Sequence, residues 1–142
     1  MNLSVIDFSE FYFMSIQGMA VPSRREGKFV VIVHEPEQAF YLVLYPTPSA
    51  RSRFLHANLV DRFCNRYAKL RGVYNDSRDH FEILDPGWHV GGGGFFVLDE
   101  ERKTLQLNGT SRAYGRADLE ALKPRLGSLP DMLGYQIELA RG

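Results

Sequence analysis

KFVVIVH (28–34), followed beyond Pro36 by AFYLVLY (39–45), decides the fold class. Both runs are dense in β-branched and aromatic residues and show little polar alternation, the pattern of strands covered on both faces. The first reads as a central strand and the second as its neighbour. A sheet buried on two sides needs helices to cover it, so the search moves outward for them.

Upstream, the polar stretch Arg24, Arg25, Glu26 and Gly27 reads as a turn leading into the first strand, while FYFMSIQ (11–17) fits a strand or a helical turn equally well. Pro46 and Pro48 are expected to stop pairing after the second strand. From Leu55 the apolar positions Leu55, Leu59, Phe63, Tyr67 and Leu70 recur at helical spacing, with Arg62, Arg66 and Lys69 on the wet side. Gly72 is placed as the left-handed residue after that helix and Ser52 as a candidate N-cap. NDSRD (75–79) reads as a polar loop, HFEIL (80–84) as a short strand, and Asp85-Pro86-Gly87 as a turn. FFVLD and KTLQLNG flank an acidic turn, Asp99 to Arg102, and predict a hairpin. A second helix is expected to start near Arg116, carry Leu119, Leu122 and Leu126, and end or kink at Pro124. YQIEL (135–139) alternates as a last strand. The expectation is an α/β (α+β) single domain over 1–142, a mixed sheet of about six strands with one helix on each side.

The composition agrees. At 142 residues, with 44% hydrophobic and 24% charged residues, the chain falls in the globular range and outside the disordered and fibrous classes. Seventeen basic residues balance seventeen acidic ones, so no global field gathers nucleic acid or an anionic membrane, and an anion site has to be local. The single cysteine, Cys64, forms no intramolecular disulfide, and the cytoplasm is the expected compartment. Asp7 and Glu10 precede the apolar residues 11–14 with no basic lead, and no apolar run approaches the ~20 residues of a bilayer span, so the chain is read as unprocessed and without a membrane partner.

Candidate chemistry is sparse. His34, His56, His80 and His89 share no ligand spacing, so no metal site is expected; Asp76, Asp79 and His80 read as a solvated loop. Gly91 to Gly94 are followed by a strand and no Gly-Lys-Ser/Thr, which removes a nucleotide P-loop. They mark either a strand that another backbone approaches closely or a floor of N–H groups for an anion. His56 falls at the start of the strong helix, where unpaired N–H groups favour a bound phosphate and a neutral imidazole. It reads as a nucleophile or as a partly buried helix-start residue. GGGFFVL (92–98) resembles an RNA-stacking strand only in part, because the expected basic start is missing, and no nucleic-acid partner is expected.

Four pieces in order, KFVVIV (28–33) after Gly27, LHANL (55–59), GGG (92–94) and Ser111-x-Ala113-Tyr114-Gly115, resemble the Janus/Ocnus family, whose enzymatic member is a small phosphohistidine phosphatase. The likeness covers about residues 27–139. It implies a mixed sheet with a helix on either side and a metal-independent phosphatase acting on a phosphohistidine-bearing protein or a small phosphoramidate, without a cofactor and as a monomer. His56 would be catalytic. Lys28 would meet the anion, and Gly93, Ser111 and the backbone N–H groups of Ala57 and Ala113 would hold phosphate oxygens. An arginine belongs directly after GGG in the phosphatase, and Phe95 stands there. Arg112 is the candidate replacement. The family also has members without an evident need for catalysis, so a non-catalytic phosphate- or phosphoprotein-binding regulatory module is the alternative.

Overall fold

The computed structural model describes residues 2–47 and 53–140. Eight strands and two α-helices follow one another as β1 (Asn2–Asp7), β2 (Arg24–His34), β3 (Ala39–Pro46), α1 (His56–Phe63), β4 (Gly72–Tyr74), β5 (Phe81–Ile83), β6 (Trp88–Asp99), β7 (Thr104–Asn108), α2 (Leu119–Ser128) and β8 (Gln136–Ala140). Six strands form one mixed sheet in the order β1-β3-β2-β6-β7-β8, and β4 and β5 form a separate two-stranded ribbon. The outer pairs β1–β3 and β7–β8 are parallel, and the inner ones are antiparallel.

Alternation along the central strands sorts the core into two layers. Phe29, Val31 and Val33 of β2, with Leu42 and Leu44 of β3, pack with Leu122 and Leu126 of α2. Val30 and Ile32, with Val43 and Tyr45, pack with Leu59, Val60 and Phe63 of α1. One helix therefore covers each face, which is why these strands lack polar alternation.

Several local expectations are corrected. Arg24 to Gly27 are the first residues of β2 rather than a turn. Arg25 is buried there because it bonds Ser9 Oγ at 2.9 Å, Asp7 at 3.2 Å and Glu100 at 2.8 Å, tying the end of β1 to the β6–β7 turn. Pairing continues through Pro46, opposite Gly27, and Thr47 N–H still donates to Glu26 O at 3.0 Å. Since Thr47 points its N–H at β2, Pro46 would point its own toward β1, which has already ended, so no ladder bond is lost. Residues 11–16 form a wide π-helical turn, closed by Gln17 N–H to Tyr12 O at 3.1 Å.

The strong helix is shorter than its apolar stripe. α1 starts at His56 with Leu55 as N-cap, widens into a π-helical turn over Cys64–Ala68, and stops at Lys69, whose φ of 56° makes it the left-handed residue. Ser52 lies outside the described residues. Gly72 is instead the first residue of β4, where a Cβ would lie 2.1 Å from the Phe81 ring. The wide turn leaves Tyr67 half exposed, packed over Tyr41 and Phe63. α2 begins at Leu119, with the Asp118 carboxylate accepting from Ala121 N–H, and runs through Pro124 to Ser128. Among the described residues no helix is long and apolar enough to cross a membrane.

The glycine run lies inside β6. A Cβ on Gly92 would sit 2.5 Å from Ala117 N, one on Gly93 2.7 Å from Phe29 O, and one on Gly94 2.2 Å from Asn108 O. Gly91 alone has room, with Val33 Cγ2 at 3.5 Å. Close backbone approach is the reason for these glycines. Gly94→Ala is accordingly expected to destabilise the fold by about 1–3 kcal/mol or more, and Gly91→Ala by about 0.5 kcal/mol or less, compared by urea unfolding at fixed pH.

Candidate functional site

One cleft of about 490 Å³ opens at the start of α1 and gathers residues distant in sequence: Lys28 from β2, Leu55 and His56, Asp79 and His80 before β5, Phe95 from β6, and Thr110 to Ala113. Lys28 and Phe95 are cross-strand partners, so the β2–β6 pairing itself puts a cation and a ring side by side. The Lys28 ammonium donates to the Phe54 carbonyl, and burial lowers its pKa.

His56 is the first residue of α1 and is only 8% exposed. Its Nε2 lies 2.8 Å from Gly94 O. A carbonyl only accepts, so Nε2 carries the proton and Nδ1 of the neutral ring keeps its lone pair. Burial, reinforced by the Lys28 ammonium and opposed by the Gly94 hydrogen bond, holds the imidazole pKa below its ordinary value. The glycines make this placement possible: a Cβ on Gly93 would stand 3.1 Å from His56 Cδ2 and 3.3 Å from Ser111 Cβ.

The helix start supplies backbone donors. The first bond within α1 runs from Leu59 N–H to Leu55 O at 3.2 Å, so among the described residues the N–H groups of His56, Ala57 and Asn58 have no acceptor in the preceding turn. Leu55 N–H is taken by Asn58 Oδ1 at 2.7 Å. Ala57 is fully buried, backbone included, in the α1-side core and does not itself line the cleft.

The 111–115 segment is a small closed loop. Ser111 and Gly115 exchange both backbone bonds, at 3.1 and 2.8 Å, and Gly115 O also accepts from Gly93 N–H at 3.0 Å. The Gly93 N–H is thereby committed to the loop, and the contribution of Gly93 to the site is the space it leaves. Ser111 Oγ accepts from Tyr114 N–H at 3.2 Å, which leaves its own proton to be donated. The Tyr114 hydroxyl bonds both N–H and C=O of Phe81, at 2.9 and 2.8 Å, and so pins the loop to β5. Arg112 is exposed at the cleft and has no ion-pair partner among the described residues.

The structure thus brings His56, Lys28, Ser111, Arg112 and Ala113 to one cleft, with Ala57 and Gly93 directly behind it. Sequence reasoning missed three features. Gly94 O sets the tautomer, yet a backbone carbonyl leaves no signal in a sequence. Asp79 and His80 reach the cleft from the loop read as merely solvated; Asn75 Nδ2 and Ser77 Oγ donate to the Asp79 carboxylate at 2.7 and 2.9 Å and lower its pKa. Cys64, the first residue of the π-helical turn that continues α1, is buried and its thiol is pushed up to about 12, so it is no nucleophile at neutral pH. A larger cleft of about 720 Å³, between the end of α1 and β4, holds Asp61, Arg71 and Asp76 but none of the residues gathered around His56.

Among the described residues no three His, Cys, Asp or Glu side chains converge as a ligand set. No curated protein matches the chain. A family model described as the Janus/Ocnus family (Ocnus) matches residues 30–128, more than half of the sequence, from the middle of β2 to the end of α2, and the chain therefore belongs to the Janus/Ocnus family.

Proposed function

We propose that the protein is a metal-independent phosphatase acting on phosphohistidine. The observation that carries this reading is the His56 Nε2–Gly94 O contact of 2.8 Å, which orients a neutral imidazole in a cleft shared with Lys28, Ser111 and Arg112. Nδ1 attacks phosphorus, and the P–N bond to the substrate imidazole breaks as that nitrogen takes a proton from solvent. Attack places positive charge on the His56 ring, and the Gly94 carbonyl is already aligned to stabilise it. Water then cleaves the P–Nδ1 bond, releasing inorganic phosphate and restoring the neutral ring. The same lone pair serves if it activates water for direct attack. Lys28, the Ser111 hydroxyl and the N–H group of Ala113 offset charge on the phosphoryl oxygens.

Phe95 supports the second reading, a binding module without turnover. An apolar ring stands where the phosphatase resemblance implies an arginine, its centroid 5.6 Å from the His56 ring. Among the described residues, Arg112 is the one guanidinium lining the cleft.

His56→Ala is expected to abolish phosphate release from a phosphohistidine peptide assayed in EDTA. Because the ring also satisfies Gly94 O, the variant should lose about 1–3 kcal/mol of stability and still fold, as checked by circular dichroism. Release at the wild-type rate in this variant would end the enzyme reading, and phosphate binding without release in the wild type would establish the module instead.

The pH profile gives a second check. With the folded-state imidazole pKa depressed below the ordinary 6.5, the unfolded chain binds the extra proton first as pH falls. The stability contributed by neutral His56 is therefore complete above 6.5 and lost progressively below it. The acid limb of kcat/KM should accordingly lie below pH 6.5, and Lys28→Met, which removes a neighbouring cation, should move it upward.

Arg112→Ala should lower kcat/KM and phosphate affinity together by several-fold, as expected for loss of a charge-assisted contact. Adding Phe95→Arg in that background should restore both, measured by steady-state kinetics and phosphate titration.

A further inference from the structure

We infer that a second cleft adjoining the His56 cleft is a substrate subsite, which takes an apolar side chain flanking the phosphohistidine of a peptide; this rests on the phosphatase reading above. The cleft has a volume of about 370 Å³, and its walls include Glu26, Thr47 and Val97. Lys28 and Phe95 belong to both clefts. The two are therefore consecutive stretches of one surface, divided by the Phe95 ring.

Sheet register explains why this surface is open. Glu26 pairs with Val97 and Lys28 with Phe95, two residues apart on each strand, so all four side chains lie on one face. It is the face on which Val30 and Ile32 pack with α1. The helix covers that face from Val30 onward, and the end of the sheet from Glu26 to Lys28 extends past the residues it packs on.

The lining selects the occupant. Phe95, 44% exposed, and Val97 supply an apolar floor. The Glu26 carboxylate already has Arg24 at 3.7 Å, and the Lys28 ammonium, held by Phe54 O, serves the phosphoryl group in the adjoining cleft, so the apolar floor is what this cleft offers a flanking side chain. The Phe95 ring is also fixed in place. It crosses directly over Gly109, where a Cβ would meet it at 2.8 Å, and it stands edge-on to His56. A phosphoryl group at His56 thus lies on one side of a fixed ring, and the neighbouring residue of an extended peptide crosses to the other side. An isolated phosphohistidine leaves the second cleft empty.

The test compares free phosphohistidine with two phosphohistidine peptides, one flanked by leucines and one by aspartates. The wild-type kcat/KM should be about tenfold or more higher for the leucine peptide than for either other substrate, the scale of one buried aliphatic side chain. Val97→Trp on β6 and Thr47→Trp just past the end of β3, each filling the second cleft, should bring the leucine peptide down to the level of free phosphohistidine, whose own turnover stays within about twofold. Equal wild-type values for the three substrates, or equal losses for free phosphohistidine and leucine peptide in both folded variants, would overturn the subsite and leave the phosphatase reading standing. Absence of turnover with every substrate in the wild type would overturn both.

Discussion

The site depends on how closely backbones approach β6 at Gly92, Gly93 and Gly94. Ala117 N, Phe29 O and Asn108 O each stand within 2.7 Å of where a Cβ would be. Without side chains at these positions, the segment leading to α2 docks on one part of the strand, and the His56 ring and the Ser111 loop settle on another. Every other feature of the cleft follows from that approach. The Gly94 carbonyl receives the imidazole, the Gly93 N–H anchors the loop at Gly115, and Phe95, the next residue, is left facing the opening. Four glycines in a strand cost conformational entropy, and the contacts they admit are the return on it.

On the phosphatase reading, a chain of zero net charge builds its anion site from few parts. Lys28 and Arg112 are the cations, and the backbone donors of the α1 start and the hydroxyl of Ser111 complete the set. Low exposure at His56 strengthens these interactions and keeps the imidazole neutral, the form with a lone pair to offer phosphorus. Asp79 at the same cleft works against a bound anion, as does replacement of the expected arginine by Phe95. On the two proposed readings, the balance between these groups is what would separate turnover from simple binding.

Much of the fold was legible because burial on two faces writes itself into the central strands. KFVVIVH and AFYLVLY could not be amphipathic while α2 covers one face and α1 the other. The parts that were not legible are those whose cause lies elsewhere in the chain. β1 pairs in parallel with β3 through NLSVID, a segment whose own pattern is too weak to announce a strand. Arg24 to Gly27 carry the polarity of a turn, and they become strand because Asp7, Ser9 and Glu100 surround the Arg25 guanidinium. Gly72 looked like a helix terminator, although what it accommodates is the Phe81 ring.

By itself the sequence determined the fold class, two covering helices, a lone cysteine without a disulfide partner, and the residue types available for the proposed chemistry. These follow from composition and periodicity, which act over a few neighbouring residues. Only the tertiary structure decided which nitrogen of His56 holds the proton, that Asp79 and His80 share its cleft, that the Gly93 N–H is committed to Gly115, and that Lys28 and Phe95 stand between two clefts. Each of these depends on groups brought together from distant parts of the chain, several of them backbone atoms, and a hydrogen bond to a carbonyl 38 residues away has no local signature in the residues that make it.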